Sequence, residues 1–218
     1  MCSGRVDPVM VIDAMLAGID GVLVVGCRTG ECHYVTGNVG AETRMNWTGR
    51  FLEKAGLYPR RLSVLWVSSA EDEKVIRGID TFIGAIRELG PLGEADPVGR
   101  GELKLTLRAL REVVSCERVR WLVGKSASIS GKKNVFGESV AEDEFEKTVM
   151  EVFANELRRK KVLLTVRESP SSVIALARKL GFPPAKILRD VVALRREGLV
   201  SVHDVKEGQP TYAEAAGA

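Results

Sequence analysis

Two short apolar runs limit what this chain can fold into. "GVLVVGC" (residues 21–27) and "RRLSVLWVSS" (residues 60–69) are rich in β-branched and aromatic side chains and end at a thiol or serines. Runs of this length bounded by turn residues read as strands buried on both faces. Helical periodicity lies before, between and after them. "DPVMVIDAMLAGID" places Val9, Ile12, Met15 and Leu16 near helical spacing, with Asp7 as the N-cap and Pro8 at the first helical position. "ETRMNWTGRFLEKAGL" carries Met45, Phe51 and Leu52 on one side and stops at Gly56, and "AEDEKVIRGIDTFIGAIRELGP" predicts a long amphipathic helix ended by Gly90 and Pro91. Strand and helix in alternation predict an α/β fold, a small parallel sheet flanked by helices, over residues 1–92.

The second half reads differently. "LGEADPVGRGE" is rich in glycine and acid and marks a boundary near residues 92–101. "LKLTLRALREVVSCERVRWLVG" predicts one helix, and "KSASISGKKNVFGESVAED" an exposed loop, so residues 101–142 form a connector. From residue 143 to 218 the pattern is an amphipathic helix on Phe145, Val149, Val152 and Phe153, then two helices broken by "GFPP", a strand "LVSVHDV", a turn "KEGQP" and a stub "TYAEA". Helix, tight turn, helix and hairpin make a mostly helical, winged-helix-like carboxyl-terminal domain.

Composition narrows the function classes. The 218 residues carry a formal net charge of +3, so nothing global demands a polyanionic partner. No apolar stretch approaches the ~20 residues that cross a bilayer. The amino terminus has no charged region followed by an apolar one, which argues against secretion. Four cysteines are too few for a disulfide scaffold at this length. The expectation is a soluble, cytoplasmic protein whose clustered thiols bind metal or do redox chemistry.

Cys27 falls at the carboxyl end of the first strand, where open α/β sheets present their ligand sites. Cys32 follows after four residues, with Gly26 and Gly30 close by, and that spacing is one of those that hold iron–sulfur clusters. A strand over residues 2–6 parallel to 21–27 would bring the Cys2 thiol to the same rim. His33 adds a histidine ligand, so three thiolates and an imidazole could instead close a structural zinc site. Three buried, inert thiols are the remaining alternative.

The wording "CSGRVDP", "GVLVVGC", "GECHYVTGN" and "AETR", in this order, resembles the delta (iron–sulfur) subunit of methyl-viologen-reducing [NiFe] hydrogenases, over residues 2–90. The resemblance implies an electron-transfer subunit with a [2Fe–2S] cluster. It would work between a hydrogenase, or a formate dehydrogenase, and the flavin subunit of a heterodisulfide reductase. It also implies that Cys2, Cys27 and Cys32 are ligands, with Arg5, Arg44 and His33 nearby to tune the potential. The family usually has a histidine, a proline and an aspartate between its paired cysteines, where this chain has Arg28, Thr29 and Glu31. Family members also begin with a further cysteine-bearing stretch, whereas this sequence starts at the "CSGR" motif. A cluster wants four ligands. The fourth is expected from a partner or an upstream segment, with Cys116 read as a buried helix residue.

Other signals are weaker. Residues 145–206 hold thirteen Lys/Arg against seven Asp/Glu. On the segment from Ala185 to Glu197, Lys186, Arg189, Ala193 and Arg196 fall on one face. That face suits an acidic protein partner or the phosphates of nucleic acid, and the second option makes the chain a redox-responsive DNA-binding regulator. "LVGKSAS" has Val119 where a P-loop needs glycine, and "GVLVVGC" lacks the dinucleotide-binding glycine run. His33 and His203 are the only histidine bases, and no Ser–His–Asp constellation is evident, so independent turnover is not expected.

Overall fold

A computed structural model describes residues 2–216, except Ser69, Ser130, Asn134 and Glu207. The chain divides into two compact units, Met1–Phe153 and Ala154–Ala218.

The first unit is built around a strand–helix–strand unit. β1 (Val22–Cys27) pairs in parallel with β2 (Leu62–Val67), in a register running from Val22 opposite Leu62 to Cys27 opposite Val67. α2 (Gly37–Lys54) connects them, preceded by α1 (Pro8–Leu16) and followed beyond β2 by α3 (Asp72–Leu89). α1 starts as its sequence dictates: Asp7 accepts the Val9 N–H at 2.9 Å, and Pro8 occupies the first turn. Ile12 and Met15 of α1, Met45, Phe51 and Leu52 of α2, and Leu57 make the core.

α4 (Gly99–Ser115) and α5 (Glu117–Ile129) complete this layer, with α4 packed on α1 and α5 on α2. α6 (Glu142–Glu168) begins in the first unit, where the Phe153 ring stacks on Phe51 at 4.2 Å between centroids. Segment 101–142 thus contributes helices packed within this unit.

Four expectations are corrected. Residues 2–6 are not a strand: Ser3–Arg5 form a 3-10 turn capped by the Cys2 sulfur, which accepts the Gly4 N–H at 3.3 Å. The strands are not buried on both faces, because a sheet of two strands leaves much of its surface open. Val24 is the fully buried residue of β1, and Val25 is exposed. The single helix expected over 103–124 is two, broken at Cys116, whose ψ of 141° is extended. Cys116 is accordingly a half-buried residue at a helix junction and not a buried helix residue. Finally, the segment expected as loop from Lys125 is helical as far as Ile129. Of the rest of that loop, Ser130 and Asn134 lie outside the described residues.

One ion pair lies deep in this unit. Arg61 is 0% exposed and sits 2.7 Å from the Asp96 carboxylate. Its remaining N–H groups donate to the carbonyls of Asp20, Gly90 and Pro91. The glycine- and acid-rich stretch after α3 is therefore stitched to the start of β2.

In the second unit, α7 (Val173–Leu180) and α8 (Pro184–Arg196) are joined by a short turn at Gly181, whose φ of 69° is left-handed and suits glycine. β4 (Val200–Lys206) and β5 (Gln209–Glu214) form an antiparallel hairpin, and of the turn expected at "KEGQP", Glu207 lies outside the described residues. A strand not expected from the sequence, β3 (Ser171–Ser172), pairs with the other edge of β5. Leu176, Ile187, Val191, Leu194, Val200 and Tyr212 are buried side chains of this unit. Among the described residues, no helix is long and apolar enough to cross a membrane.

Candidate functional site

The amino-terminal turn, the end of β1 and the first turn of α2 meet at one rim. Cys2 reaches it from the turn, and its Sγ lies 3.6 Å from Cys32 Sγ. A pair of thiols this close needs an open backbone beneath it, and Gly37 at the start of α2 supplies that. A Cβ there would overlap Cys2 Sγ and lie 3.3 Å from Cys32 Sγ. Gly4 packs directly on Gly37, where a Cβ would come within 2.9 Å of the Gly37 Cα and carbonyl oxygen. Two glycines thus let two segments of backbone approach until the sulfur atoms converge.

The electrostatics ease deprotonation at Cys32. The Cys32 thiol is held below its ordinary pKa chiefly by the backbone amide of Asn38. Burial opposes this, while the amides of Tyr34 and Gly37 and the Cys2 thiol assist. The first amides of a helix carry the positive end of its dipole and have no intrahelical acceptor, so a sulfur anion satisfies them.

Asn38 does a second job. Its buried side chain donates to the carbonyls of Cys27 (3.0 Å) and Arg28 (2.9 Å), tying the end of β1 to the start of α2. Arg44, further along α2, donates to the carbonyls of Gly4 and Val6 and so anchors the Cys2 segment. Arg28 pairs with Glu71, just beyond β2, and the Glu71 carboxylate also accepts the Ser68 N–H at 2.8 Å. That N–H, ahead of Arg28 and Lys74, lowers the Glu71 pKa against a burial effect that raises it.

Cys27 behaves differently from the other two. Its backbone is fixed by Asn38, but its thiol is exposed at the strand end, while Cys2 is half-buried and Cys32 buried. His33 is exposed, with its ring edge-on to Tyr34 at 5.1 Å. Arg5 is exposed at the end of the 3-10 turn. Beyond them Val35 has a φ of 61°, the left-handed region that a β-branched residue avoids, and is 78% exposed.

Among the described residues no three His, Cys, Asp or Glu side chains are arranged to hold a metal ion. As placed, the described side chains do not assemble the expected zinc cage of three thiolates and His33. Against the four ligands of a [2Fe–2S] cluster, the chain presents two converged thiols, and the residues as placed do not complete the set. Next to Cys2, the Ser3 hydroxyl is buried without a hydrogen-bond partner, so polar capacity at this rim is unfilled.

Sequence reasoning points to the two converged thiols but not to Asn38 or to the role of Gly37. Both stand in the quoted "YVTGN", where a glycine followed by an amide residue opens a helix. That signal is visible only once the segment is known to be a helix start.

What fold and site define together is a layered α/β module with a thiol pair at a helix terminus. The family model for the methyl-viologen-reducing hydrogenase delta subunit matches residues 1–90. The iron-sulfur subunit of an F420-non-reducing hydrogenase from Methanopyrus kandleri is 35% identical over 91 residues, covering 42% of this chain and 69% of the relative. Its counterpart from Archaeoglobus profundus is 40% identical over 90 residues, covering 41% of this chain and 66% of the relative. One component of the ferredoxin/F420H2-dependent CoB-CoM heterodisulfide reductase from Methanosarcina acetivorans is 46% identical over 93 residues. That match covers 43% of this chain but only 12% of the relative. The chain belongs to the methyl-viologen-reducing hydrogenase delta-subunit family.

Proposed function

We propose that the chain is an electron-transfer subunit whose first unit carries an iron–sulfur centre of the [2Fe–2S] type. Cys2, Cys27 and Cys32 are its ligands in this reading. The supporting observation is the Cys2–Cys32 pair, 3.6 Å apart at the amino terminus of α2. The names of the relatives, iron-sulfur subunits of hydrogenases, support the same chemistry.

On this reading Cys27, exposed at the end of β1, would be the third thiolate ligand, and the fourth would come from a partner or from another segment. The backbone amides of Asn38 and Gly37 lower the Cys32 pKa, and Arg44 keeps the Cys2 segment in place. The chain relays electrons in the cytoplasm and does not turn over a substrate alone. Its partners are a hydrogenase, or a formate dehydrogenase, and the flavin subunit of a heterodisulfide reductase. A hydrogenase and a heterodisulfide reductase are favoured because relatives bear those names. Residues 1–92 form the electron-transfer part, and a winged-helix-like domain begins near residue 143.

The test is anaerobic reconstitution of the full chain with ferric iron and sulfide, in the presence of a small thiol that can supply the fourth ligand. The expected product holds iron and acid-labile sulfide in equal amounts and gives a paramagnetic signal on reduction. Cys32→Ala abolishes both and Cys116→Ala preserves them. A chain that stays metal-free, or one in which Cys116→Ala loses as much iron as Cys32→Ala, would overturn the reading.

A further inference from the structure

We infer that the second unit binds double-stranded DNA through the exposed face of α8. The inference is independent of the sulfur site and concerns residues beyond the family match, which ends at residue 90.

The first observation is how charge is sorted on this helix. α8 carries Lys186, Arg189, Arg195 and Arg196, all exposed, and one acidic residue, Asp190. Asp190 is buried at 2% exposure and bound by Arg158 of α6, at 2.6 Å and 3.2 Å. Glu197, which caps the helix, lies 3.5 Å from Arg159. The acids of this segment are thus turned inward or already engaged. The four cations have no ion-pair partner among the described residues. A buried acid neutralised from behind leaves an outer face of one sign, which is the electrostatic footprint of a polyanion site.

The second observation is the setting. α8 follows α7 across the short turn at Gly181 and is flanked in sequence by the β4–β5 hairpin. The second helix of a helix–turn–helix is the one that enters the major groove, which is about 12 Å wide and admits a helix. From Lys186 to Arg196 the helix rises about 15 Å, so cations at 186, 189 and 196 follow a stretch of backbone rather than a point. Between them Leu188 and Val192 are exposed, at 47% and 38%, and offer apolar contact to thymine methyl groups. Arg178 and Lys179, in the last turn of α7, add positive charge on the preceding helix. An acidic protein surface would meet the same charges. The duplex is favoured because the cations run along one helix of 13 residues, and the major groove admits a helix.

The test is fluorescence anisotropy of a labelled, mixed-sequence duplex of about 24 base pairs titrated with the full chain, from about 50 mM to 200 mM salt. Three phosphates neutralised give a slope of log K against log salt of about −3. Arg189→Ala with Arg196→Ala weakens binding at least tenfold and lowers the slope by about 2. Lys54→Ala, on α2 of the first unit, leaves both unchanged. Three outcomes would each overturn the inference: no retention of the duplex at the lowest salt, a double variant that binds it as well as the parent, or a polyglutamate peptide that binds at least as tightly as the duplex.

Discussion

Gly37 governs the sulfur geometry, because it is the position at which any side chain would displace Cys2 from Cys32. Gly49, on the same helix, has nothing within 4 Å of the place where a methyl group would stand, and so separates packing from helix propensity. Gly37→Ala is expected to cost about 1–3 kcal/mol or to rotate Cys2 out of the pair. Gly49→Ala should gain about 0.4–1 kcal/mol. Urea midpoints of the metal-free chain check both. Equal, small effects at the two positions would contradict the close packing described for the helix start. Single side chains are also where sequence patterns say least. The family resemblance implies that Arg44 tunes the potential through its charge or hydrogen bonds, and only the fold reveals that its guanidinium also holds backbone, by donating to the Gly4 and Val6 carbonyls.

Among the elements, the Arg61–Asp96 pair joins the start of β2 to the stretch that follows α3. Burial raises the Asp96 pKa. The Arg61 guanidinium and the N–H groups of Tyr58 and Gly93 outweigh it, and the carboxyl is held below its ordinary 3.8. A depressed carboxyl contributes stability that is present above the unfolded value of 3.8 and is lost as the pH falls through the lower folded value. Asp96→Asn leaves a buried guanidinium unpaired and should cost about 3–5 kcal/mol near neutral pH. It should also flatten the fall in stability below pH 3.8. Denaturant titrations at about pH 7 and about pH 3 check both, and a loss under about 1 kcal/mol at neutral pH would contradict the account.

The same pair shows what sequence patterns carry. Helices and strands declare themselves through periodicity, as with Asp7 and Pro8 opening α1 and Gly90 closing α3. "LGEADP" reads as a solvated linker because glycine and acid are what linkers contain, and only the fold reveals a buried partner 35 residues away. The break at Cys116 is invisible for a similar reason. Apolar spacing continues across it, and the turn is set by tertiary packing. α3 shows the converse: its amphipathic pattern predicts burial, yet none of its residues is fully buried, and Ile76, Ile79 and Ile83 remain exposed.

Taken end to end, the chain has two units joined through α6, with the family match confined to the first and the cationic helix to the second. In the first unit two sulfur atoms 30 residues apart in sequence meet at one rim, and the proposed centre depends on that meeting. Oxidation of the reduced, metal-free chain with diamide probes that meeting, since diamide takes two electrons and two protons as a disulfide forms. Peptide mapping by mass spectrometry should find Cys2 joined to Cys32 as the dominant intrachain link, with Cys116 unpaired. A dominant Cys27–Cys32 link, or no link to Cys2 at all, would contradict the account.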